Sequence, residues 1–171
     1  MTQFTDLPEY IKGKTGEAIV QAELTQSGLL VYPAPKGVSE PFDFIVFTSD
    51  CSRAFLVDCK TYNRLATVPA ISVDTKDVGK YIHCQNELRH KFLLYFCDSF
   101  EQAIYRCTLD AFRSTCKANR HTGKSTAPLS IMEYIRALTL DECRAIGWPT
   151  GMYNGVDRWF NDSRIENQTR R

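Results

Sequence analysis

The sequence has no run of about eighteen apolar residues, so nothing in it reads as a membrane-spanning helix. The opening M-T-Q-F-T-D lacks the charged and apolar regions of a secretory signal, and a cytoplasmic location is the expectation. There is no C-x-x-C pair among the 7 cysteines. An odd number without paired spacing argues against a disulfide framework and for reduced, packing thiols. His83, Cys84, His90 and Cys97 lack zinc spacing. Net charge is only +1, so a nucleic-acid surface must come from segregated charge rather than bulk basicity. One absence is local. From Ala111 to Met132 there is no acid, while Arg113, Lys117, Arg120, His121 and Lys124 all fall inside. H-T-G-K-S-T in that stretch is not a phosphate loop, because Ala118 stands where the first glycine is required and no strand leads into it.

What is present fits one domain with a real core: 171 residues, 43% hydrophobic and 24% charged. A single domain over residues 1–150 and a partly disordered tail over 151–171 are expected.

The most informative stretch is Pro41 to Lys60. It reads P-F-D-F-I-V-F, then T-S-D-C-S-R, then A-F-L-V-D-C-K, two β-rich runs around a polar turn, as in a hairpin. Strand side chains alternate faces, so Asp58 and Lys60 share one face while Val57 and Cys59 share the other. Asp43 falls near the open end, beside Asp58. Burying two carboxylates and an ammonium together is costly unless a ligand needs them. A divalent cation and a phosphate are such ligands.

The remaining pattern frames the hairpin. Residues 5–27 read as helical, with Asp6 as cap and a break near Gly13 and Gly16. Glu17, Val20, Gln21 and Leu24 form one stripe, and Gly28 ends the helix. Leu29–Tyr32 is a short strand, and Pro69 argues against a regular central strand in the segment after Lys60. Asp74–His90 is helical, with Val78, Ile82, Gln85 and Arg89 on one stripe. Lys91–Cys97 is an apolar, central strand and Ala103–Leu109 another. The acid-free stretch reads as a loop or a mobile helix–loop. Ser130 and Glu133 suit a capping box for a short helix, and a second piece follows near Leu140–Ile146.

The order helix with Glu17, strand, strand with Asp43, strand with Asp58-x-Lys60, helix with Gln85, apolar strand resembles the PD-(D/E)XK nuclease superfamily. K-T-G-E-A-I-V-Q-A-E-L, P-F-D-F-I-V and F-L-V-D-C-K-T resemble its Holliday junction resolvase-type branch. The match covers roughly residues 12 to 110, with Asp58 standing where Glu is commoner. The resemblance implies an α/β, restriction-endonuclease-like core with a mixed central β-sheet flanked by helices. It implies a Mg²⁺- (or Mn²⁺-) dependent DNA endonuclease, with Asp43, Asp58, Glu17 and the Cys59 carbonyl as metal ligands. Lys60 would sit at the scissile phosphate and Gln85 would support the site. Lys12, Lys14, Arg113, Lys117, Arg120 and Lys124 are the expected DNA contacts. Branched DNA cut by a homodimer is the expected substrate and assembly. A nicking or restriction-like enzyme, or an inactive nucleic-acid- or protein-binding module on the same fold, is the alternative.

Overall fold

The structure, a computed structural model, describes residues 8–35, 41–62 and 69–147. It opens with helix α1 (Pro8–Gln26), followed by strands β1 (Leu30–Pro33), β2 (Phe44–Phe47), β3 (Ala54–Tyr62) and β4 (Ala70–Asp74). Helix α2 (Thr75–Leu88), strands β5 (Lys91–Asp98) and β6 (Ala103–Thr108), and helix α3 (Leu109–Thr115) come next. Strands β7 (Lys117–Asn119) and β8 (Lys124–Pro128), a 3₁₀ turn (Leu129–Ile131), β9 (Glu133–Ala137) and helix α4 (Leu140–Ala145) complete it. The sheet order β1-β2-β3-β5-β6-β9 is antiparallel except where β3 runs parallel to β5. This is the mixed central sheet flanked by helices that the resemblance implied.

Two apolar clusters cover the two faces. Val57 and Cys59 of β3 and Tyr95 and Cys97 of β5 pack with Ile19, Val20 and Leu24 of α1. Leu56 of β3 and Phe92, Leu94 and Phe96 of β5 pack on the other face with Val78 and Tyr81 of α2. Strand β5 is apolar on both sides because both sides are covered, as expected of a central strand beside a parallel neighbour. The expected hairpin is β2–β3, with Phe44 opposite Val57 and Phe47 opposite Ala54. Among the described residues, no helix is long and apolar enough to cross a membrane.

Three local expectations are corrected. Helix α1 has no break: Gly16 packs directly against β3, and a Cβ there would overlap Thr61 Oγ1. The glycine serves packing. Gly16→Ala is therefore expected to destabilise the fold by about 1–3 kcal/mol. Thr61→Ala in the same chain should recover most of that loss in a double-mutant cycle read by denaturant unfolding. Full additivity of the two changes would remove this contact from the account. Gly28, by contrast, does end α1, at φ +79, with its N–H and that of Leu29 donating to the carbonyls of Thr25 and Leu24.

The second correction is the acid-free stretch. It is no loop: it forms α3, β7 and β8, and β4-β8-β7 make a second, three-stranded sheet. Strand β4 is thus placed outside the central sheet, in keeping with Pro69 before it. The third concerns Ser130 and Glu133. They cap no helix, because Glu133 starts β9 and its carboxylate takes the Arg106 guanidinium of β6 at 2.6 Å. The capping box lies at Thr139 and Glu142, opening α4. There Arg136 joins Glu142 to Glu23 of α1, at 2.7 and 2.6 Å, and so clips the last helix to the first. Asp6 and the tail beyond Gly147 lie outside the described residues.

Candidate active site

The hairpin's open end sets the geometry. Asp43 precedes β2 by one residue, and continuing the Phe44–Val57 register places it across from Asp58. Its backbone N–H donates to the Val57 carbonyl at 2.9 Å. Its Oδ2 accepts the N–H of Cys59 at 2.8 Å, so a carboxylate substitutes for a carbonyl in the ladder. This bond pins the Asp43 side chain to β3 and gives Cys59 its visible part in the site. The Cys59 thiol faces the α1 side, where contact with Cys97 and burial push it well up.

Asp58 lies on the opposite face, 5% exposed. Its Oδ2 accepts the Lys60 ammonium at 3.0 Å and the Tyr81 hydroxyl at 2.9 Å. Lys60 also stands 5.7 Å from the centre of the Tyr81 ring, a cation–π arrangement that limits where its stem can go. The expectation that Asp58 and Lys60 share a face is met, and Tyr81 locks the pair. Burial pushes the Asp58 carboxyl up to about 7, against the pull of Lys60 and with a further push from Asp43. Burial also raises Asp43, although the Cys59 N–H, Lys60 and Lys14 oppose it. Burial is the largest influence on Lys60 and would lower it, but the charge and hydrogen bond of Asp58 together with the Asp43 and Asp77 charges outweigh it, and the ammonium ends up raised. The pair is thus strained toward neutrality on one side and held charged on the other.

Glu17 reaches the same region from α1. Burial raises its carboxyl, Lys14 pulls it back, and the Asp43 charge raises it further. Both Glu17 oxygens hold the Lys14 ammonium, at 2.9 and 2.6 Å. Three carboxylates therefore share one neighbourhood without converging. Among the described residues, no group of three metal-ligating side chains is disposed around one point. The donor chemistry of two of them does suit a hard divalent cation. Among the described residues, the hydrogen bonds of Asp43 and Asp58 run through Oδ2, which leaves each Oδ1 for a ligand.

Gln85 is not brought to this group. Its Oε1 accepts the Phe92 N–H at 3.0 Å and its Nε2 donates to Asp110 at 3.0 Å, tying α2 to the start of β5 and to α3. Tyr81, one helical turn earlier, occupies the position expected of it. The stripe read from the sequence, Val78, Ile82, Gln85 and Arg89, leaves Tyr81 out; i, i+4 spacing puts Tyr81 beside Gln85 on the helix, and only packing could choose between them. Tyr81 is 1% exposed, and its hydroxyl is raised by burial beside Asp58.

The expected DNA contacts divide. Lys12 is partly buried on α1, which lowers it, and Lys14 is spent on Glu17. Arg113 sits on α3 at 4.0 Å from Asp110. Lys117, Arg120 and Lys124 lie together on the second sheet and its turn.

The architecture is that of a mixed α/β sheet protein with an acidic, lysine-bearing hairpin end. No family model matches the sequence, and no curated protein matches it. Among solved structures it is similar to Hjc, a Holliday junction resolvase from the archaeal hyperthermophile Archaeoglobus fulgidus. The TM-score is 0.55 at 10% identity, over 72% of this chain and 92% of that one. At that identity the likeness is one of fold.

Proposed function

We propose that the protein is a divalent-metal-dependent DNA endonuclease selective for branched DNA, acting as a homodimer. The observation that carries this reading is the Asp58–Lys60–Tyr81 group with Asp43 at the hairpin's open end. Two desolvated acids and a lysine held there at a cost in stability are explained by a cation and a phosphate. Asp43 and Asp58 would hold Mg²⁺ or Mn²⁺, with Glu17 joining once Lys14 is released and the Cys59 carbonyl beside them. A bound divalent ion supplies an activated water and shields charge developing on the phosphate. Lys60 supplies a point charge toward the scissile phosphate. Tyr81 fixes the Asp58 carboxylate, and Asp43 is fixed by the Cys59 N–H. One such site cuts one strand, so opening a four-way junction needs two sites related by a two-fold axis.

A second reading is a binding module on the same fold, favoured by the engagement of Glu17 with Lys14. Supercoiled plasmid, linear duplex and a synthetic four-way junction, each incubated with and without Mg²⁺, separate the readings. Mg²⁺-dependent cutting that prefers the junction is the expected result, with a dimer by light scattering. Equal nicking of plain duplex by a monomer would leave a nicking endonuclease. Binding without any cleavage would leave the module.

A further inference from the structure

Lys117 and Lys124 of the acid-free stretch are gathered on one face of the small sheet, with Arg120 in the turn between their strands. Residues paired directly across an antiparallel ladder point to the same face. Lys117 pairs with Thr126 and Asn119 with Lys124, while Ser72 pairs with Thr126 and Asp74 with Lys124. These six side chains therefore make one face of the small sheet. Ile71, Val73, Ser125 and Ala127 make the other, and all four are buried. The outer face carries one acid, Asp74, which is paired with Lys124 at 2.8 Å. Ser72 and Thr126 share a hydroxyl hydrogen bond at 2.9 Å. Lys117 and Arg120 are exposed and have no ion-pair partner among the described residues. The turn that presents Arg120 is fixed from within: Asn119 Oδ1 accepts the N–H groups of His121 and Thr122, and Gly123 closes it at φ +65.

This face is tied to the candidate site. Strand β4 runs directly into α2, which carries Tyr81 to Asp58, and Thr75 at the start of α2 bonds Ser125 of β8 at 3.0 Å. Lys124 holds the Asp74 carboxyl below its usual range, and Lys76 and Lys60 add to that effect, so Lys60 lies within electrostatic reach. Asp74, at the junction of β4 and α2, is thus the point where the field of Lys60 meets the cations of the small sheet.

We infer that the outer face of the β4-β8-β7 sheet docks the sugar–phosphate backbone of a duplex DNA arm leading into the site, with Lys117 and Arg120 as phosphate contacts. The inference rests on the nuclease reading above. Charge complementarity selects the occupant: exposed cations, hydroxyls and an amide suit phosphate oxygens. Among the described residues no aromatic side chain lies on this face, so it offers no stacking platform for unpaired bases.

The test is Lys117→Gln/Arg120→Gln, with Arg53→Gln in the β2–β3 turn as control. Binding of fluorescein-labelled duplex and of the same strand unpaired is titrated in EDTA over a range of KCl. Cleavage of supercoiled plasmid in Mg²⁺ is followed in parallel. The double variant is expected to bind duplex at least tenfold more weakly. Its plot of log affinity against log salt should flatten by about 0.9 per lost phosphate contact. Its cleavage at limiting DNA should fall in proportion, with an unchanged melting temperature, and the control should match the wild type. Unchanged duplex affinity and slope, in a wild type that binds and cuts, would overturn the inference while leaving the nuclease reading standing. A loss confined to the unpaired strand would also overturn it. A wild type that neither binds nor cuts DNA would instead remove the nuclease reading. Lys117→Glu, which reverses the charge, should deepen the defect if the contact is electrostatic.

Discussion

Asp58→Asn and Lys60→Ala should each lower Mg²⁺-dependent cleavage by roughly a thousand-fold while leaving the chain folded. Three decades in rate correspond to about 4 kcal/mol of lost transition-state stabilisation, a reasonable size for removing an ion-binding acid or a cation aimed at phosphate. Asp58 offers one oxygen to Lys60 and Tyr81, and the variant amide keeps the shape but not the charge. Lys60 is 31% exposed at its side chain, so truncating it opens no large cavity, and its effect should fall on chemistry rather than folding. Tyr81→Phe makes a useful contrast. It removes only the donor that orients Asp58, and a loss of about 10- to 100-fold is expected. Initial rates on supercoiled plasmid, with circular dichroism to verify folding, decide the matter. A folded Asp58→Asn protein that cuts normally in Mg²⁺ would end the nuclease reading of this hairpin.

The same substitution should raise stability at alkaline pH. Asp58 has a folded-state value of about 7, against 3.8 for an ordinary aspartate, so the native state binds a proton more readily than the unfolded chain. A raised carboxyl makes stability fall as pH rises from about 4 to about 7, after which the full cost is present. That separation corresponds to about 4 kcal/mol. Leaving Lys60 without its partner takes back part of the gain. Asp58→Asn in EDTA should therefore be more stable than the wild type by on the order of 2 kcal/mol at pH 8, or roughly 5 °C in melting temperature. The advantage should disappear near pH 4, where the native carboxyl is already protonated. A gain independent of pH, or a loss at pH 8, would mean that burial places no burden on Asp58. Together the two results would show a stability cost maintained for a chemical purpose.

Features that depend on local period and turn chemistry are legible in the chain alone. Asp58 and Lys60 share a face because strand side chains alternate, whatever surrounds them. The β2–β3 hairpin, the end of α1 at Gly28 and the two-sided apolar character of β5 follow from the same short-range rules. Asp43 beside Asp58 needed only the hairpin register. Tertiary structure decided the rest. Tyr81 and Gln85 lie one turn apart on α2, Tyr81 off the stripe that the sequence shows, and only the height at which that helix crosses β3 and β5 sends the hydroxyl to Asp58 and the amide to Phe92. Gly16 reads as a helix breaker until Thr61 is seen against it. The short strands β7 and β8 have too few apolar residues to announce themselves, because Ile71 and Val73 of a strand some fifty residues away supply much of their buried face. Pairing across that distance is a property of the folded chain. It gathers Lys117, Lys124 and Arg120 onto one surface, which their spacing in the sequence does not reveal.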